Sequence, residues 1–111
     1  MKISKELIKG STSLLVMSVL KQEDMYGYKI IKEIEKLSED VFVLKEGTLY
    51  PILHALENEN LLESYWQESD GRKRKYYHLT KKGVQRTKAK EDEWKLFSTS
   101  VDKVLASAVA Y

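Results

Sequence analysis

Cationic side chains are the most concentrated chemistry in this sequence. From Arg72 to Lys90 the chain carries Arg72, Lys73, Arg74, Lys75, Lys81, Lys82, Arg86, Lys88 and Lys90 with no acid, whereas between Glu23 and Glu68 acids outnumber bases. The net charge is therefore only +2, and the asymmetry says more than the total. A local cationic zone fits a polyanionic partner, because Lys and Arg attract phosphates by charge and Arg adds paired hydrogen bonds. The same run also reads as a solvated charged surface. Catalysis has little to use elsewhere. Two His, His54 and His78, fall in different predicted elements, Cys is absent, and there is no Gly-rich phosphate loop or cluster of metal ligands. That inventory predicts a binding protein without metal or cofactor rather than an enzyme.

Binding residues need a scaffold to aim them. A chain of 111 residues, 42% apolar and 32% charged, suffices for one globular domain with a modest core and not for two. The lack of Cys removes any disulfide framework and fits a reducing compartment. Met1 to Glu6 lacks the layout of a signal peptide, and the longest apolar run, Leu14 to Leu20 broken by Ser18, falls well short of the ~20 residues a membrane span needs. A soluble, cytoplasmic protein is expected.

Periodicity divides the first sixty residues into three helices. The first is predicted from about Lys5 to Lys21, and its stretch Leu14 to Leu20 is apolar nearly all round, so it must be covered on more than one side, a demand a single small domain could hardly meet. After Asp24-Met25-Tyr26-Gly27, Tyr26, Ile30, Ile34 and Leu37 keep the spacing of one buried stripe on a second helix. Val41 to Leu44 forms either an edge strand or an extended connection. The third helix covers roughly Glu46 to Glu59, with Leu49, Ile52, Leu53 and Leu56 inward, Gly47, Pro51, His54 and Asn58 outward, and Thr48, Tyr50 and Ala55 flanking. Pro51 is awkward inside a helix. Either the helix opens locally there, or it begins at Thr48 as N-cap with Pro51 in the first turn. Asn60 suits the left-handed position that closes it.

Asp70-Gly71 is a preferred two-residue hairpin turn. Counting outward from it pairs Ser69 with Arg72, Glu68 with Lys73, Tyr65 with Tyr76 and Leu62 with Leu79. That register puts Leu62, Trp66, Tyr77 and Leu79 on one face and Tyr65, Arg74, Tyr76 and His78 on the other, as a half-buried hairpin requires. Thr80 then caps a last helix running to about Val109, roughly 45 Å long at 1.5 Å per residue, too long for a compact body of about 30 Å, so its distal half must overhang. On that half Trp94, Phe97, Val101, Val104 and Ala108 form a heptad seam suited to a second copy of the chain.

The order of elements, α-α-α-β-β-α, is that of a mainly α (α+β) winged helix-turn-helix followed by a long dimerisation helix, divided at residues 1–80 and 81–111. A helix with a small, almost uncharged outward face can enter the DNA major groove, while a basic hairpin reaches flanking phosphates. On this reading Thr48, Tyr50, Pro51 and His54 of the third helix, and Arg72, Lys73, Arg74 and Lys75 of the hairpin, contact double-stranded DNA. A protein-binding winged helix is the runner-up, but it calls for an apolar or acidic outward face on the third helix.

Tyr26-Gly27-Tyr28, Gly47-Thr48-Leu49-Tyr50-Pro51 followed by Leu53, Leu56 and Glu57, and Arg74-Lys75-Tyr76-Tyr77-His78-Leu79-Thr80 leading to Gly83 together resemble the PadR-like transcriptional regulators, above all the small members with a single C-terminal helix. The resemblance covers about residues 5 to 83. It implies a homodimeric regulator, usually a repressor, that leaves its operator when a small molecule binds. His54 and Ala55 stand where the family often carries Arg, and Asn60 where it usually has Gly. In multidrug-sensing small members aromatics of the last helix stack on planar ligands, which makes Trp94, Phe97 and Ser98 candidates for a planar aromatic effector at the dimer interface. Plain dimer packing is the alternative role for Trp94 and Phe97, and Ser98 occupies a position where an aromatic is expected.

Overall fold

A computed structural model describes residues 3–109. Residues 1, 2, 110 and 111, which the two-part division includes, lie outside the description, as does the side chain of the seam residue Ala108. In chain order the elements are α1 (Lys5–Lys9), α2 (Thr12–Leu20), β1 (Met25–Tyr26), α3 (Gly27–Leu37), α4 (Glu46–Asn58), β2 (Leu62–Ser69), β3 (Arg72–Leu79) and α5 (Lys81–Val109). Among the described residues no helix is long and apolar enough to cross a membrane.

The single first helix expected from Lys5 to Lys21 is two. Short hydroxyl side chains break it by competing for one carbonyl. The Ile8 oxygen accepts from the Ser11 amide at 3.0 Å, the Ser11 hydroxyl at 3.1 Å and the Thr12 hydroxyl at 2.8 Å, and a new helix restarts with the Leu15 amide on the Ser11 carbonyl. The apolar α2 is covered within its own chain, against expectation. It packs on α3, β3 and α5, and buries Val16, Met17, Val19 and Leu20 among them.

The stripe on α3 is Ile30, Ile31 and Ile34. Leu37, expected to join it, is 57% exposed because the helix ends there and the chain turns away through Glu39 and Asp40, both left-handed. Tyr26 precedes the helix, in β1. Val41 to Leu44 is an extended connection rather than a strand, anchored by buried Leu44. α4 begins at Glu46, so Thr48 is not its N-cap; Lys45 holds that place without a side-chain bond, and the Lys45 carbonyl accepts from the Thr48 and Leu49 amides. Pro51 is thus a true interior residue, and the Gly47 carbonyl lacks its usual helical donor. Leu49, Leu53 and Leu56 face the core, with Ile52 half-buried beside them.

Asn60 closes α4 at φ 61°, with the Leu61 amide reaching back to Leu56 and the Asn60 amide to Glu57, as expected of a left-handed cap. The hairpin follows the predicted register from Leu62–Leu79 to Ser69–Arg72, and Asp70 and Gly71 both take positive φ. β1, absent from the sequence reading because two residues carry no alternation, pairs Met25 with Tyr77 and Tyr26 with Tyr76 on the other side of β3. The 29-residue α5 leaves this body, whose longest dimension including the helix is 60 Å.

Thr80 caps α5 as expected: its hydroxyl accepts from the Gly83 amide and shares its one proton between the Asn60 and Leu61 carbonyls. Gly83 sits so close to the start of β2 that a Cβ would lie 2.2 Å from the Leu61 carbonyl oxygen and 2.6 Å from Leu79 Cδ1. Backbone cannot yield there as a side-chain tip would. Gly83→Ala is therefore expected to destabilise the fold by about 1–3 kcal/mol, the usual cost of overpacking, visible as a lower melting temperature by circular dichroism; an unchanged melt would mean that α5 does not dock this closely.

Candidate nucleic-acid interface

The β2–β3 hairpin forms a wing beside α4, and between them lies an open cleft of about 650 Å³. It is lined by Tyr26, Gly27 and Tyr28 at the start of α3 and by Glu46 and Tyr50 of α4. The wing contributes Trp66, Tyr77 and the run Arg72 to Lys75. Local rules put these groups here. β1 covers β3 only at Tyr76 and Tyr77, so the strand edge from Arg72 to Lys75 stays open toward the cleft. Gly27 permits Tyr50 to lean across the start of α3, since a Cβ there would lie 2.8 Å from the Tyr50 hydroxyl.

The residues expected to bind DNA fall into distinct settings. Thr48, Pro51 and His54 are exposed on α4, and Tyr50 is half-exposed with its ring turned into the cleft. Arg72 and Lys73 are exposed beside the hairpin turn. Arg74 is partly buried: its guanidinium lies 4.2 Å from the Tyr26 ring centroid, and its Nε is shielded from solvent without a hydrogen-bond partner among the described residues. Lys75 is engaged inward, 3.8 Å from the Glu57 carboxylate and 5.7 Å from the Tyr77 ring centroid. Glu57 also accepts from Ser64 at 2.7 Å. Lys75 and Glu57 therefore form a strut between wing and α4, a role the sequence reading missed because it depends on which hairpin face meets the helix.

A second strut lies on the wing's opposite face. Tyr65 stacks on Tyr76, with centroids 5.7 Å apart, and Tyr26 meets Tyr76 edge-on at 5.5 Å. The Tyr65 hydroxyl donates to Asp24 Oδ2 at 2.6 Å, and His78 Nδ1 lies 2.8 Å from Asp24 Oδ1. Partial burial works to raise the Asp24 carboxyl, but the Tyr65 and His78 hydrogen bonds and the electrostatic pull of the imidazole outweigh it, so the group lies below its ordinary value. The Tyr65 phenol, holding its proton on that carboxylate, is pushed up to about 12. His78, read from sequence as a bystander, is part of this anchor.

Trp94, Phe97 and Ser98 lie apart from the cleft, on the overhanging half of α5. The two rings are 5.8 Å apart, tilted by 32°, and half-exposed. Ser98 donates to the Lys95 carbonyl of its own helix. Phe97 continues into a shallow apolar hollow with Val101, Val104 and Leu105.

Two helices packed beside a three-stranded sheet, with a basic hairpin at one side and a long terminal helix, define a winged helix-turn-helix regulator. Residues 16–89 match the Transcriptional regulator PadR-like family, and the chain belongs to that family. It superposes on a transcriptional regulator from Clostridium thermocellum with a TM-score of 0.83 and 33% identity, covering 89% of this chain and 97% of that one. Transcriptional regulator Rv3488 of Mycobacterium tuberculosis is 32% identical over 79 residues, 71% of each protein. Against transcriptional regulator YqjI of Escherichia coli the identity is 33% over 76 residues, 68% of this chain and only 35% of that protein's length.

The anchor has a pH signature. Asp24 is depressed, so its contribution to stability is present above the ordinary carboxyl range and lost as pH falls through its lowered value. Tyr65 is raised, so its contribution is full below the ordinary phenol range and lost as pH rises toward about 12. In an ultraviolet phenolate titration the Tyr65 transition is expected near that upper value, and Asp24→Asn should return it toward the ordinary phenol range. A Tyr65 transition unmoved by Asp24→Asn would rule the bond out.

Proposed function

We propose that the chain is a homodimeric DNA-binding transcriptional regulator that represses from a pseudo-palindromic operator and leaves it when a small molecule binds. Placement carries the reading: α4 exposes Thr48, Pro51 and His54 and shares, through Tyr50, a cleft with the cationic wing, so the helix can read bases while the wing holds phosphates. Thr48, Tyr50, Pro51 and His54 are assigned to the groove, Arg72 and Lys73 to the backbone, and Arg74 and Lys75 to the wing's base with part of their charge still presented to DNA. Residues 1–80 form the DNA-binding part and residues 81–111 the dimerisation helix. Membership of a family of transcriptional regulators supports the whole.

Duplex binding is expected to weaken steeply with salt, with a logarithmic slope of about −0.9 per phosphate contacted. Arg72→Ala with Lys73→Ala should lower affinity for all duplexes alike and flatten that slope, whereas Thr48→Ala or His54→Ala should change the preference among operator variants. Fluorescence anisotropy across a salt series distinguishes these. Wing changes that altered specificity while helix changes did nothing would reverse the assignment, and failure to bind mixed duplex even at low salt would leave a protein-binding module instead.

Exposure of Trp94, Phe97 and Val101 along one stripe supports a partner on α5. Two α4 helices about 34 Å apart would then meet successive major grooves on one DNA face. Sedimentation should give a dimer at micromolar concentration. The small Ser98 beside the rings favours an open space between subunits, able to admit a planar aromatic effector, over a filled core. Trp94→Ala should accordingly cost well under the about 3–5 kcal/mol of a filled aromatic site. Planar aromatic compounds should quench Trp94 in a Trp66→Phe chain and release DNA from the parent chain. A full cavity cost with a shift to monomer, and no quenching, would identify Trp94 as dimer core alone.

A further inference from the structure

The hairpin register puts Trp66 on the strand face that carries the buried Leu62, Tyr77 and Leu79, and the sequence reading therefore places it with the core. Its indole is instead 67% exposed. The wing projects past the end of α4's apolar stripe, so that the inward face is buried at its base and open toward the tip. The exposed indole meets the cleft, together with the exposed rings of Tyr28 and Tyr50 and the cationic side chains of Arg72, Lys73 and Arg74. Three uncovered aromatics and the four cations from Arg72 to Lys75 share one concavity.

We infer that Trp66 is a DNA-contacting residue of the wing, packing its indole against deoxyribose of the strand whose phosphates Arg72 and Lys73 hold. The inference rests on the DNA-binding function proposed above and adds a residue to it. A duplex presents its backbone as anionic phosphates alternating with sugars whose faces are largely C–H. The wing offers the same alternation. Trp66 lies in strand register opposite Lys75 and two steps from the Glu68–Lys73 pair on the same hairpin face, so an apolar ring and cations follow one another along that face. Burying the ring against sugar gains apolar contact at little entropic cost, since an indole has few rotamers to lose. Sugars are common to every sequence, so the contact adds affinity without choosing an operator.

The test uses the full-length chain and two unrelated mixed-sequence duplexes of equal length, one AT-rich and one GC-rich. Titration with either duplex should change tryptophan emission in step with the anisotropy of the labelled DNA, and the change should be absent from the Trp66→Phe chain, which keeps only Trp94. Trp66→Ala should weaken both duplexes by about tenfold and by the same factor, with Trp66→Phe recovering most of the loss. Circular dichroism melts accompany each variant, and an exposed indole predicts unchanged folding. DNA binding with an unaltered Trp66 signal, or wild-type affinity in Trp66→Ala, would overturn the inference while leaving the DNA-binding function standing. An unequal loss on the two duplexes would overturn the sugar contact in favour of base reading. A Trp66→Ala chain that sediments as a monomer would assign the indole to the dimer interface instead, and failure of the parent chain to bind either duplex would remove both the inference and the function beneath it.

Discussion

At the junction of α4, the hairpin and α5, three backbone groups share one small space. The Leu61 carbonyl accepts from both the Thr80 amide and the Thr80 hydroxyl, at 3.1 Å each, and the Gly83 Cα lies against the same oxygen with no side chain between them. Leu61 is in turn the residue whose amide closes α4, and Lys82 reaches back 2.9 Å to the Glu59 carbonyl. One crossing point thus fixes where α4 stops, where the two strands begin their register and in which direction α5 departs. Tyr50 and the wing residues of the cleft are aimed by elements that meet there.

Local chemistry with a fixed backbone requirement was readable without coordinates. Asp70-Gly71 demands two positive φ angles, which sets a two-residue turn and with it the whole hairpin register. Asn60 and Thr80 marked the end of α4 and the start of α5 for the same reason. What failed was decided by tertiary or competing local contacts. Nothing in the periodicity of Lys5 to Lys21 reveals that hydroxyls at Ser11 and Thr12 would take the Ile8 carbonyl. A strand as short as Met25–Tyr26 has no pattern, and exists because β3 offers it an edge. The helical stripe of α3 continues arithmetically to Leu37, but the helix does not.

The candidate interface shows the same division. Type and spacing singled out α4 and the wing, and the structure brings Tyr50 and Arg72 to Lys75 to one cleft, with Thr48, Pro51 and His54 exposed on α4 outside its lining. Sequence alone could not separate cations that are free from cations that are occupied. Arg72 and Lys73 extend beyond the last internal partner, while Lys75 is committed to Glu57 and Arg74 lies over Tyr26. Nor could it find Asp24, which acquires its role only when Tyr65 and His78 arrive from two different strands. The hairpin is consequently stiff at its base and loose in charge at its tip, and exposed pairs of this kind contribute to placement more than to overall stability.

The docking of α5 has a mechanical consequence. A continuous helix resists bending far more than its loops resist turning, and this one is joined to the body at its first turn by bonds to Glu59, Asn60 and Leu61, the residues that connect α4 to β2. A tilt imposed at the distal end therefore cannot be absorbed at the root: it is delivered to α4 and the hairpin together, as rotation of one rigid piece about the root of the lever. The distal end of a 29-residue helix is a long arm, and a push there turns the helix and hairpin together.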